Sequence, residues 1–148
     1  MTLAFRDAIA TDLGAIVTFL ADDLKGRARE EEGDPGYLAA FDAISADPNQ
    51  RLIVVTQSDA IVGTMQLSFL AGLSFRGAWR LQIEAVRVVS HLRGQGIGAA
   101  MIEWAVAQAR DRGCRMVQLT THRDRVDAHR FYDRLGFSQS HLGYKLTL

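Results

Sequence analysis

Ile83–Ala105 reads IEAVRVVSHLRGQGIGAAMIEWA, and the fold turns on how its two halves join. Just upstream, Trp79, Leu81 and Ile83 alternate with Arg80, Gln82 and Glu84, the period-two pattern of a half-buried strand. After Ala85 the phase flips, with Val86 and Val88 apolar around Arg87. A flip implies one extra residue, so a β-bulge is expected near Glu84–Ala85. The plainer alternative is an Ala85 that merely sits on a polar face. The second half, from about Gly98 to Arg112, is alanine-rich and helical, with Gly113 as its C-cap. Between the halves stand Gly94, Gly96 and Gly98. Glycine weakens regular structure, so its use here implies a tight turn, a close-packed helix start or an anion held against the main chain.

Outward from this junction, Leu3–Ala8 is a short first strand, and Thr11 or Asp12 can cap a helix carrying Leu13, Ile16, Val17, Leu20 and Leu24 on one face. KGRAREEEGDPG is polar and glycine-containing and reads as a mobile loop, followed by a short helix from about Gly36 to Ile44. Arg51–Gln57 and Ala60–Leu70 are strands joined by a Ser58-Asp59 turn, and AGLSFRG leads into the long strand Ala78–Val89. After the central helix come a strand at Arg115–Thr121, a helix capped by Asp127 and closed by Gly136, and a last strand in GYKLTL. This order predicts an α/β (α+β) fold: a mixed, mostly antiparallel sheet of about six to seven strands with helices on both faces. The β-helix-β passage through Gly98–Arg112 makes two of the strands parallel.

The chain has 148 residues, one domain's worth, taken as a single domain over 1–148. Lys plus Arg and Asp plus Glu each total 17, and zero net charge argues against general nucleic-acid or anionic-membrane binding. No apolar run approaches the ~18 residues of a membrane helix, and the N-terminus lacks a signal-peptide layout. One cysteine, Cys114, allows no internal disulfide. A cytoplasmic protein is expected. The four histidines show no metal-ligand spacing, so no metal is expected.

The glycine turn supplies bare N–H groups at the positive end of a helix, with Arg93 beside them, which suits a pyrophosphate. The P-loop pattern fails, because Ala99 and Ala100 follow Gly98. The dinucleotide pattern matches formally at Gly94, Gly96 and Ala99, but the strand RMVQLTT carries no acid to hold a ribose. A second block, DAHRFYDRLGF, follows about 35 residues later.

Together the two blocks resemble the GNAT superfamily of acyl-CoA-dependent N-acetyltransferases. Arg93-Gly94-Gln95-Gly96-Ile97-Gly98 matches its [RQ]-x-x-G-x-[GA] pattern, and Ala128 through Tyr132 to Phe137 matches its last-helix block. The family also has a bulge in its fourth strand. The resemblance implies acetyl-CoA as cosubstrate, with the pantetheine arm on the backbone of Val86 and Val88 and the pyrophosphate on Arg93, Gly94, Gln95, Gly96, Ile97 and Gly98. It implies the Val88 N–H facing the thioester carbonyl, Glu84 as the base and Tyr132 as the general acid. Glu84 can instead be a strand carboxylate paired with Arg80 or Arg87, and Tyr132 a packing residue of an apolar helix stripe. The family's asparagine before the last block is Arg125 here. The implied function is acetyl transfer to a primary amine acceptor, small molecule or peptide. A catalytically silent acyl-CoA sensor and a nicotinamide-dependent oxidoreductase are the rivals, and a homodimer is compatible with the resemblance.

Overall fold

A computed structural model describes residues 2–148, apart from the side chain of Leu24. The chain divides into a first unit ending at Gln118 and a second unit, Leu119–Leu148.

The first unit is built on a sheet of order β1-β2-β3-β4-β5. Its strands are β1 (Ala4–Asp7), β2 (Gln50–Gln57), β3 (Ala60–Leu70), β4 (Arg80–Val88) and β5 (Met116–Leu119). The first four form antiparallel pairs, with Phe5 opposite Val55, Ile53 opposite Met65 and Leu67 opposite Ile83. The β2–β3 turn puts Ser58 and Asp59 at φ 49° and 65°, the left-handed pair a tight hairpin needs. β5 runs the same way as β4: the Arg115 N–H donates to the Trp79 carbonyl (2.8 Å), and the Gln118 amide donates to Gln82 (2.9 Å). The sheet is therefore mixed.

Ile53, Val54 and Val55 are all fully buried. Consecutive strand residues face opposite sides, so both faces of the sheet are covered. The helices are α1 (Leu13–Leu20), α2 (Leu24–Arg29), α3 (Pro35–Ala46), a one-turn α4 (Ser74–Gly77) and α5 (Ile97–Asp111). α5 buries Ile97, Met101, Ala105 and Ala109, one residue per helical turn. It packs on β3 and β4, as does α1 through Ile16 and Val17. At the far edge, the Phe5 and Trp104 rings stack at 4.9 Å, and Arg51 lies 5.4 Å from the same indole while bonding Asp7. That contact joins β1, β2 and α5.

Buried Asp12 replaces the expected helix cap with a different task. Its carboxylate accepts two hydrogen bonds from Arg6 (2.7 and 3.1 Å) and one from the Ile9 N–H (2.8 Å). The Arg6 hydrogen bond, helped by Ile9, holds its pKa below the ordinary value against the opposing effect of burial. A depressed folded pKa contributes stability above the unfolded pKa near ~3.9, lost as pH falls through the folded value. Asp12→Asn is expected to cost about 1–3 kcal/mol at neutral pH and to flatten the acid side of the stability profile. Urea titrations from pH 2 to 7 read both, and an unchanged acid slope contradicts the assignment.

The second unit holds α6 (Val126–Arg134), closed by Gly136 at φ 89°. Three sequence expectations need correction. Among the described residues the sheet has five strands, not six to seven: no regular strand forms in 138–148. The alternating pattern of GYKLTL is that of a strand, but a strand also requires a neighbouring edge to pair with. KGRAREEEGDPG is not all loop, because α2 runs through its first part with Asp23 capping at Gly26 N–H. Asp127 lies inside the first turn of α6 and does not cap it. No helix among the described residues is long and apolar enough to cross a membrane.

Candidate active site

Along β4, Thr64 of β3 stands opposite Arg87 and Gln66 opposite Glu84. Three steps on β4 therefore answer two on β3, and the register shifts there. Ala85, between them, has φ 52°, a left-handed conformation uncommon for a residue with a Cβ. Downstream, the Val89 N–H donates to the Val62 carbonyl of β3 at 2.8 Å. Successive amides of a strand point to opposite edges, so the Val88 N–H faces away from β3, and Val86 shares its phase. β5 stops at Leu119, level with about Ile83 by the parallel register set at Arg115 and Gln118. The outward amides of Val86 and Val88 thus lie beyond the paired part of the β4 edge.

Glu84 is exposed, and the Gln82 side-chain amide donates to it. Gln82 in turn accepts from the Gln118 amide across β4 and β5. This Gln118-Gln82-Glu84 chain orients a carboxylate beside the register shift. Sequence alone gave no sign of it, since the partners lie 36 residues apart. Of the alternative partners for Glu84, Arg87 is directed elsewhere: it lies 3.8 Å from Asp23 and donates to its neighbour's carbonyl, that of Val86 (3.1 Å).

The strand leads through a 3₁₀ turn, Ser90–Leu92, into the glycines. Gly94 and Gly96 have φ 79° and 85°, and a Cβ on either would meet no other atom within 4 Å. Glycine is needed here for its backbone angle, and the space above the turn is open. Gly96 is the N-cap of α5 and has no side-chain capping bond. The first amides of a 15-residue helix therefore start without a side-chain acceptor, at the positive end of its dipole. Ile97 is buried beneath the turn, Gly98 is half-buried, and Gln95 is exposed. Arg93 folds back over β4, donating to the Val88 carbonyl (3.2 Å) and pairing with Asp22 (3.0 Å). It is a tether between α1's end and the turn as well as a charge.

Gly63 of β3, which no sequence motif singles out, sets how closely α5 lies over β3. It stands opposite Val88, and a Cβ there would lie 2.9 Å from the Met101 sulfur and 3.0 Å from the Arg87 carbonyl. Gly63→Ala is expected to cost about 1–3 kcal/mol through overpacking, read by urea denaturation. A cost below about 0.5 kcal/mol, the range of an ordinary surface substitution, would mean the helix yields freely.

In the second unit, Tyr132 is half-buried, edge-on to Phe131 (5.0 Å) and Phe137 (5.8 Å). The Cys114 thiol is pushed up by burial, which disfavours the thiolate a nucleophile requires. Of the acids Glu30, Glu31, Glu32 and Asp34, Glu30 accepts from the Tyr37 hydroxyl (3.1 Å) and Asp34 caps α3 (2.7 Å), so these two serve local structure.

Residues 17–137 match the family model described as Acetyltransferase (GNAT) family. The chain is 29% identical over 143 residues to an aminoalkylphosphonate N-acetyltransferase of Salmonella typhimurium, covering 97% of this chain and 90% of that protein. A crystal structure of a transcriptional regulator from Bacillus halodurans is 44% identical, with a TM-score of 0.94 over 99% of this chain and all of that one. A further structure shares the fold at 15% identity and TM-score 0.78, each chain covered in full: AAC(6')-Iy in complex with a CoA-containing bisubstrate analogue.

Proposed function

The chain belongs to the acetyltransferase (GNAT) family, and from that premise we propose that it moves an acetyl group from acetyl-CoA to a primary amine by direct attack in a ternary complex. The observation that carries this reading is the main-chain seat: an uncapped helix start behind two left-handed glycines, continuous with outward-facing strand amides. In this reading the shift at Ala85 is the bulge expected in the fourth strand. Amides at Gly94–Gly98 bind the pyrophosphate, and Arg93 adds its charge. The Val86 and Val88 backbone pairs with the pantetheine arm like an added strand. As the amine attacks, negative charge grows on the thioester oxygen, and the Val88 N–H stabilises it there.

An alkylamine has a pKa near ~10.4 and arrives protonated. Glu84, held by Gln82, takes that proton directly or through water. The amine nitrogen then bonds the acetyl carbon, the carbon–sulfur bond breaks, Tyr132 protonates the departing thiolate, and the second nitrogen proton passes through water to restore the tyrosine hydroxyl, while Glu84 releases its proton to solvent. The 29% identical relative directs the first choice of acceptor to aminoalkylphosphonates. A second reading follows from the 44% identical structure described as a transcriptional regulator: the same seat binds acyl-CoA as a signal, without turnover.

Thiol release from acetyl-CoA against aminoalkylphosphonates, diamines and lysine peptides tests the proposal, with thermal shift run alongside. Turnover with an amine is the expected result. A thermal shift without turnover on any amine favours the sensor. A shift with NADH and none with acetyl-CoA overturns both.

Gly96→Asp separates the seat from the fold. Aspartate tolerates the left-handed region and caps helices through the same amides a phosphate would use. The variant should stay folded, losing only about 1–2 kcal/mol to the left-handed backbone at this position, yet bind CoA at least about tenfold more weakly, ~1.4 kcal/mol. Calorimetry showing unchanged affinity would remove the helix start from the site.

A further inference from the structure

β3 is the middle strand of the sheet, and its two faces differ. Gly63, Met65, Leu67 and Phe69 share one face, which carries no polar side chain. A Cβ on Gly63 would meet Met101 of α5, so α5 covers this face. The alternate positions Thr64, Gln66 and Ser68 make the opposite face polar. Polar side chains in the middle of a sheet need partners. The Thr64 hydroxyl donates to the Ile53 carbonyl (2.9 Å), and the Ser68 hydroxyl to Gln50 Oε1 (2.8 Å). Gln66 is satisfied at one end only. Its Nε2 donates to the same Gln50 oxygen (3.2 Å), and among the described residues nothing donates to its Oε1. Gln66 is half-buried, and this oxygen is open to solvent rather than sealed in the core.

Gln66 stands directly opposite Glu84 in the β3–β4 register. Such pairs share a face, with Cβ atoms about 4.5–5.5 Å apart. Gln50 holds Gln66 from β2, while Gln82, itself held by Gln118 of β5, holds Glu84. The result is two acceptors side by side, one a carboxylate and one a neutral amide oxygen. They complement a group that carries positive charge and more than one N–H.

We propose that Gln66 is a specificity-determining residue for the acceptor: its Oε1 accepts one N–H of the incoming primary ammonium while Glu84 takes another. The inference rests on the reading of Glu84 as the base. A primary ammonium has N–H groups for both oxygens. Once Glu84 has removed a proton, the charge attraction to the nitrogen is gone, and the Gln66 bond keeps the neutral amine in place for attack. An alcohol of the same shape offers a single O–H. It leaves one of the two oxygens facing a lone pair, so the pair selects amines over hydroxyl acceptors.

Steady-state kinetics with aminoethylphosphonate, a diamine and a lysine peptide read KM for the amine and for acetyl-CoA separately. Gln66→Met keeps the chain length and removes the acceptor. Its KM for the amine should rise at least about tenfold, as for a lost hydrogen bond to a charged group, with KM for acetyl-CoA unchanged. Gln66→Glu keeps an acceptor oxygen at the same reach and should bring the amine KM back to within about threefold of the parent. A parental amine KM in Gln66→Met overturns the proposal, as does a parallel rise in both KM values, or a Gln66→Glu no better than Gln66→Met. If Gln66→Met unfolds, Gln66→Ala carries the same expectation. A parent that turns over none of these amines defeats the acetyl-transfer reading, and calorimetry of the same amines with CoA present then decides this one separately. Amine binding that Gln66→Met weakens about tenfold sustains it; no amine binding, or equal binding by parent and variant, ends it.

Discussion

Gly26→Ala is expected to unfold or displace α2, with a loss of about 3 kcal/mol or more. Gly26 is buried in α2, and a Cβ there would lie 1.9 Å from the Leu20 carbonyl oxygen and 3.0 Å from the Ala21 Cα. Both are main-chain atoms of α1's end, so no side-chain rotation relieves the clash. Overpacking against mobile side chains costs about 1–3 kcal/mol; against fixed backbone the upper end is the starting point. The damage should reach the candidate site. Asp22 and Asp23 join α1 to α2, and they bond Arg93 and Arg87 beside the glycine turn. A displaced α2 withdraws both acids and loosens the Arg93 tether. Thermal denaturation reads the stability loss, and CoA titration reads the second effect. A melting temperature within about 2 °C of the parent, less than 1 kcal/mol shifts it in a domain of this size, would show that α2 can move away without cost, and that its close approach to α1 is incidental.

Tyr132→Phe is expected to lower kcat about 100-fold with KM for acetyl-CoA unchanged. General acid catalysis contributes about 10²–10⁴, and a thiolate, with a conjugate-acid pKa near ~8.5, leaves tolerably without help, so the lower figure applies. The variant keeps both ring contacts, with Phe131 and Phe137, that hold α6 to the turn closed by Gly136. Its ring packing should therefore match the parent's. Tyr132→Ala, in contrast, loses the packing as well and should cost about 3 kcal/mol. If Tyr132→Phe turns over at the parental rate, the tyrosine is a packing residue and another group or water protonates the thiolate. If both kcat and stability fall, the hydroxyl has a structural task and the catalytic assignment is not sustained.

Patterns with a short period were legible before any coordinates. The glycine junction could be placed because Gly94 and Gly96 must take left-handed angles that other residues resist, and they do, at φ 79° and 85°. The order of β2, β3 and β4 followed from alternation and from turn residues such as Ser58 and Asp59. The same logic failed at the C-terminus: alternation at 142–148 described a strand's side chains, but said nothing of whether an edge would be there to pair with them. It failed also in KGRAREEEGDPG, where polar residues and glycines suggested a loop. Gly26 is instead the residue that lets a short helix press against the end of α1.

By itself, then, the sequence determined the family, the strand-turn-helix junction and the identity of the residues around it, because these depend on dihedral preference and on periods of two and 3.6 within a few neighbours. Tertiary structure alone decided what those residues touch. Gln118 reaches Glu84 through Gln82, Asp22 holds Arg93, and Met101 fits over Gly63. Each of these joins positions tens of residues apart, and their meeting depends on strand register and helix placement, which no local pattern encodes.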